Sequence, residues 1–293
     1  MAGIVGGMAE QWRQSAQTLY WHRVPREMEV ETGKASESKV SRKAFVNPHC
    51  SRDLALALVR GWDDICSDPE FADAVTAVGT KHKRGIFINR YLRTGGKEHV
   101  AKYHSFTSTK RKLQSTIYYS EAQRNNATML LLRSKGLNIP KPVAVLSETR
   151  YGVVTKAVLF MERYAREFRP YRDIAPLVSE VSALRSSFLD SLGRDLGLMH
   201  RYGIYTEDTD KNTAVTVENG RVDFCFFDFD NAFPWRVPSL KKSVAMMQKY
   251  LSSFYLLSNE ELSGFIDLYL KIRGKASWRN DVLSRLCGMA AIS

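Results

Sequence analysis

"GIYTEDTDKNTAVTVENGRVDFCFFDFDNAF", residues 203–233, gathers seven carboxylates into thirty-one residues of a chain whose formal net charge is +12. Glu207, Asp208 and Asp210 crowd the approach to Asn212, and Asp228 and Asp230 stand among Phe224, Phe226, Phe227 and Phe229. An isolated carboxylate is costly in an apolar segment unless it is paired or bound to a metal. The two late acids therefore need either a structural partner or a chemical task. Between the two groups, Asn219-Gly220 separates "NTAVTVE" from "RVDFCFFDFD", the pattern of two short strands joined by a tight turn. The stretch reads as an acidic loop, an asparagine, a hairpin, and acid-aromatic-acid at the hairpin's end.

Upstream, residues 175–204 repeat apolar positions at three and four, which predicts one long helix with Gly203 past its end. Before Arg163 the chain alternates instead. "GIFINRYL" (85–92) and "KEHVAKYHSF" (97–106) predict two strands joined at Gly95-Gly96. An amphipathic helix over 118–136 stopped by Gly136 and two further strands, "LNIPKPVAVLSET" and "GVVTKAVLFMERY", follow. Residues 52–67 and 70–77 have helical spacing, "ETGKASESKVSRK" (31–43) reads as a flexible linker, and "STKRKLQS" (108–115) as a solvated basic loop. Helices at about 240–257 and 259–273 close the chain. The order predicts an α+β protein in three parts. These are an N-terminal extension (1–73), a small β-rich lobe (74–163) and a larger helical lobe (164–293).

Composition narrows the function classes. The chain has 293 residues, 44% hydrophobic and 25% charged, enough for a sizeable core. No apolar run is long enough to cross a bilayer, and the N-terminus lacks a secretory pattern. Cys50, Cys66, Cys225 and Cys287 have neither disulfide-framework nor zinc-ligand spacing, which points to a reducing compartment and makes the cytoplasm the expected location. The positive charge suits phosphorylated or anionic partners, including peripheral contact with an anionic membrane face at its inner side. Without a helix-turn-helix, zinc-finger or single-strand-binding pattern, nucleic acid is not the expected partner.

The element order, with an acidic loop, an asparagine and a strand ending in Asp-Phe-Asp, resembles the bilobal protein-kinase-like fold. More narrowly it resembles the bacterial lipopolysaccharide core kinases, which phosphorylate Kdo or heptose. The likeness spans roughly residues 74–273 and rests on "LGLMHRYGIYTEDTDKNTAV…FCFFDFDNA" and on "GLNIPKPVAV". It implies ATP and Mg2+ as cofactors and an anionic glycan or glycolipid as substrate. Phosphoryl transfer needs a metal on the phosphates, a cation beside them and a carboxylate that orients the attacking hydroxyl. The likeness assigns the metal to Asp228 and Asn212, with Asp230 assisting. It gives the phosphates to Lys102 of "HVAKYH" and makes Glu121 the orienter of Lys102. Glu207 falls at the position of the base, Tyr205 replaces the family's histidine, and Asp208 stands next in line. "GTKHKRG" (79–85) falls where a nucleotide-covering loop belongs. His200, at a helix end, is expected to cap that helix rather than to react. Two further readings stay open. One is a pseudokinase that binds without transfer, and the other is a polyanion-binding protein that uses only the charge.

Overall fold

The computed structural model describes residues 40–47, 49–81, 86–117, 120–165, 167–206, 211–229, 238–252 and 257–290. The chain divides into two compact units. One comprises the described residues up to Leu130 together with Pro140–Arg163, and the other Leu131–Ile139 with the residues from Tyr164 onward.

The N-terminal unit runs β1 (Val40–Val46), α1 (Arg52–Cys66), α2 (Pro69–Lys81), β2 (Ile86–Thr94), β3 (Lys97–Ser105), α3 (Thr109–Ile117), α4 (from Glu121, ending at Ser134), β4 (Pro142–Arg150) and β5 (Val153–Glu162). Its five strands form one antiparallel sheet in the order β1-β4-β5-β3-β2. Gly95 and Gly96 sit at φ 60 and 74, the paired left-handed residues that a two-residue turn between twisted strands requires. Side chains alternate along β3. Ala101 and Tyr103 enter a core with Leu58, Val59 and Trp62 of α1 and Phe71 of α2. Lys102 and His104 take the other face, where His104 meets Glu121 of α4.

Two local expectations change here. Residues 40–43 are strand rather than linker, because β1 pairs along its full length with β4, from Val40 opposite Arg150 to Val46 opposite Ala144. The basic stretch at 108–115 is helical. Ser108 accepts the Arg111 N–H at 3.3 Å, and the helix is pinned by an ion pair from Arg111 to Glu121. Polar composition hid this helix, since its anchor lies ten residues away. The helix α2 also runs to Lys81, so the first part of the expected nucleotide-covering loop is its last turn, and 82–85 lie outside the described residues.

The C-terminal unit contains β6 (Arg169–Pro170), α5 (Tyr171–Glu180), α6 (Ser182–Arg201), β7 (Thr213–Glu218), β8 (Arg221–Phe226), α7 (Leu240–Leu251), α8 (Asn259–Arg273), a 3-10 turn (Ala276–Trp278) and α9 (Arg279–Ala290). The helix expected over 175–204 is two helices, because Val181 is extended at φ −101, ψ 109. Apolar periodicity continues across a single extended residue and does not report it. Buried Tyr171, Phe188, Phe224 and Tyr250 pack edge to face, and Thr213 Oγ1 meets the Tyr250 hydroxyl at 2.7 Å. α6 approaches α8 so closely at Gly197 that a methyl there would stand 3.0 Å from Ile272 and from the Tyr269 carbonyl. α8 opens on a reciprocal Ser258–Glu261 capping box and ends at Gly274 in the left-handed conformation.

Candidate active site

In the N-terminal unit the sheet places Lys102 between Asn89 on β2 and Leu159 on β5. Only 5% of the residue is exposed, which is unusual for a lysine. An ammonium held there is pre-positioned on a rigid strand rather than on a surface arm.

Glu121, the expected orienter of Lys102, begins α4. Ser120 fixes that start, accepting the Gln123 N–H at 3.2 Å while Gln123 Oε1 accepts the Ser120 N–H at 2.8 Å. The Glu121 carboxylate is buried and bound to Arg111, with Arg124 Nη2 at 3.8 Å and His104 Nδ1 at 3.7 Å. It thus pairs with the arginine of α3 and with its own helix. Arg111 and Arg124 were missed from the sequence. The Glu-x-x-Arg spacing of 121 and 124 was the legible signal, since such residues face each other on a helix.

In the C-terminal unit β7 and β8 bring Asn212 and Asp228 to one end of a hairpin. Thr213 lies opposite Phe226, and the Phe227 N–H donates to the Asn212 carbonyl at 3.0 Å. Asp228 follows in the left-handed region, φ 64, where a side chain other than glycine is strained by about 1–3 kcal/mol. Its neighbours enforce the strain. Phe227 stacks on Tyr164 at 5.5 Å between centroids, and Phe229 is fully buried. A partly exposed acid thus stands at the strand's end between two packed phenylalanines, the same residues that made the acids look misplaced in the sequence.

An amide oxygen and a carboxylate oxygen are hard donors, and magnesium takes only one or two protein carboxylates. The pair Asn212 and Asp228 fits that ion in donor type. Among the described residues no group of three or more His, Cys, Asp or Glu side chains gathers as zinc-type sites do. Glu207, Asp208 and Asp230 lie outside the described residues.

His200 is fully buried, with Nδ1 2.8 Å from the Tyr269 hydroxyl and Nε2 3.2 Å from Met246 Sδ. Burial, with Arg273 nearby, lowers its pKa to about 3. The ring is neutral at ordinary pH, so it fills and orders the junction of α6, α7 and α8 instead of capping α6 with charge.

The architecture is protein-kinase-like, as the sequence led us to expect. The structure of "WaaP in complex with acyl carrier protein" superposes with a TM-score of 0.51 at 14% identity, over 75% of this chain and 91% of that one. A MAP kinase of Leishmania major, LmaMPK10, gives a TM-score of 0.30 at 12% identity over 67% of this chain and 65% of its own, too loose a match to add to this. No protein-family model matches the sequence, and no curated protein matches it.

Proposed function

We propose that this protein is a kinase-type phosphotransferase that uses magnesium-ATP and delivers the γ-phosphoryl group to a hydroxyl of a sugar or lipid-linked glycan. The sequence resemblance carries the sugar-kinase part of this reading, and the fold shared with WaaP supports it. The lipopolysaccharide core is therefore the acceptor class we favour. The observation that carries the reading is Asp228, held in a strained backbone by two anchored phenylalanines and set beside Asn212.

In this reading Asn212 and Asp228, with Asp230, hold the magnesium, which neutralises charge on the phosphates when bound. Lys102 holds the phosphate oxygens with its ammonium, and its burial strengthens that attraction. The acceptor oxygen attacks the γ-phosphorus as the bond to the ADP oxygen breaks. The acceptor's proton passes to the carboxylate of Glu207 or of its neighbour Asp208. A carrier protein, the companion of WaaP in its structure, is the kind of protein partner we propose beside the glycan.

The test is a thermal-shift series with ATP, with and without magnesium, because a ligand that binds only the native state raises its stability. Magnesium-ATP should raise the melting temperature, and Asp228→Asn should remove most of the magnesium-dependent part. Transfer of labelled phosphate to lipopolysaccharide core oligosaccharide should then follow in the wild type. An undiminished magnesium response in Asp228→Asn would sink the metal assignment. The pseudokinase reading keeps one support in the sequence, Tyr205-Thr206-Glu207 where the family carries His-x-Asp. Tight magnesium-ATP binding with no transfer to any core acceptor would select it.

A further inference from the structure

A cavity of about 540 Å3 lies on the face of the five-stranded sheet opposite Lys102, beneath α1 and α2. Its size falls within the ~300–1,000 Å3 usual for small-molecule sites. Its described lining belongs to the N-terminal unit alone. The strand register explains its chemistry. One cross-strand row runs Arg42, Glu148, Lys156, Ser105 over β1, β4, β5 and β3, and the next row inward on the same face runs Leu146, Val158, Tyr103. The first row is polar and the second apolar, so the cavity has a charged rim and a greasy floor.

The helices complete both. Trp62 of α1 meets Phe71 of α2 edge to face at 5.2 Å, and Tyr103 lies 5.4 Å from the first ring and 5.9 Å from the second. Asp63 of α1 receives both terminal nitrogens of Arg42, at 2.5 and 3.2 Å, and Lys156 Nζ stands 3.1 Å from Glu148. Cys66, one turn beyond Asp63, lines the same cavity as these four charges. Two cations balance two anions there, so the rim has no excess positive charge with which to draw a phosphate. A ligand that carries both signs can exchange into the Arg42–Asp63 and Lys156–Glu148 pairs without leaving a net charge.

We infer that this cavity binds a small aromatic zwitterion of the amino-acid class. The ring lies against Trp62, Phe71 and Tyr103. The carboxylate turns to Arg42 and Lys156, and the ammonium to Asp63 and Glu148. The site is separate from the phosphotransferase residues and does not depend on that reading.

Ligand-observed fluorine NMR on the full chain tests it with three probes: fluorinated L-tryptophan, fluorinated tryptamine, which lacks the carboxylate, and fluorinated indolepropionate, which lacks the ammonium. The zwitterion should bind saturably, and each singly charged analogue about tenfold or more weakly, as the loss of a charge-assisted contact implies. Ala72 is exposed on α2 and lines the cavity, so Ala72→Phe should fill it and abolish binding with the melting temperature preserved. If that variant does not fold, Lys156→Met replaces it and should weaken the zwitterion and indolepropionate but not tryptamine. Absence of saturable binding by every probe overturns the proposal. So does binding that survives Ala72→Phe, insensitivity of all probes to Lys156→Met, or equal binding of all three probes, which would make the contact merely hydrophobic.

Discussion

His200 shows at the scale of one residue how burial decides a role that sequence position only suggests. A histidine in the last turn of a helix invites a charge–dipole reading, but this one titrates near 3 instead of 6.5 because the charged form has no water. The unfolded chain binds the proton below about pH 6.5 and the folded chain does not until about pH 3. The unfolded state therefore holds more protons throughout that window, and stability falls as the pH falls through it. The slope from His200 approaches about 1.4 kcal/mol per pH unit. His99, buried on β3, shifts in the same direction by desolvation. Urea midpoints measured between pH 7 and about pH 5 should drop with pH in the wild type and drop less steeply in His200→Gln, which keeps a donor and an acceptor but no titration, the remaining slope including that of His99. An unchanged slope in that variant would mean the imidazole is not held neutral. Asp228 gives the complementary case, in which the sequence showed the acid and the aromatics but not the left-handed backbone between Phe227 and Phe229.

Among the elements, what was legible followed from local rules. Hairpins at Gly95-Gly96 and Asn219-Gly220, the strands on either side of them, and the helix ending at Gly136 were visible because their turn chemistry and periodicity are local. β1 and α3 were not, because each is stabilised from far away in sequence. β1 depends on its register with β4, and α3 on Glu121. The break at Val181 was invisible because apolar periodicity runs across it, and the cavity under α1 and α2 because it is assembled from six separate elements. α3 carries a direct test. Its Arg111 closes on a carboxylate whose side chain is 8% exposed, so Arg111→Met should cost about 1–3 kcal/mol in urea unfolding. Arg279→Met, which breaks an exposed pair with Asp267 at 2.6 Å, should leave the midpoint where it was. Equal midpoints for the two variants would mean that Arg124 and His104 suffice to hold Glu121.

For the molecule as a whole, the protein-kinase-like architecture was readable from element order, while the partners rest on charge. No described helix is long and apolar enough to cross a membrane, yet the chain carries forty-three Lys and Arg against thirty-one Asp and Glu. Part of that excess sits on exposed helical surface, as at Lys110 of α3 and Lys241 and Lys242 of α7. A substrate embedded in an anionic glycolipid leaflet would be met through such charges without any apolar insertion. The attraction would then be long-ranged at low salt and screened within about 10 Å at 0.1 M. Co-sedimentation with vesicles should show binding to phosphatidylglycerol but not to phosphatidylcholine at low ionic strength, lost as salt is raised well above 0.1 M. Magnesium-ATP stabilisation should persist at the higher salt, because a site that holds its ligand by buried and metal-linked contacts is screened far less than a surface field. Binding to neutral vesicles, or binding that survives high salt, would instead point to an apolar anchor, and indifference to both vesicles would leave the positive charge to the soluble glycan or the carrier protein.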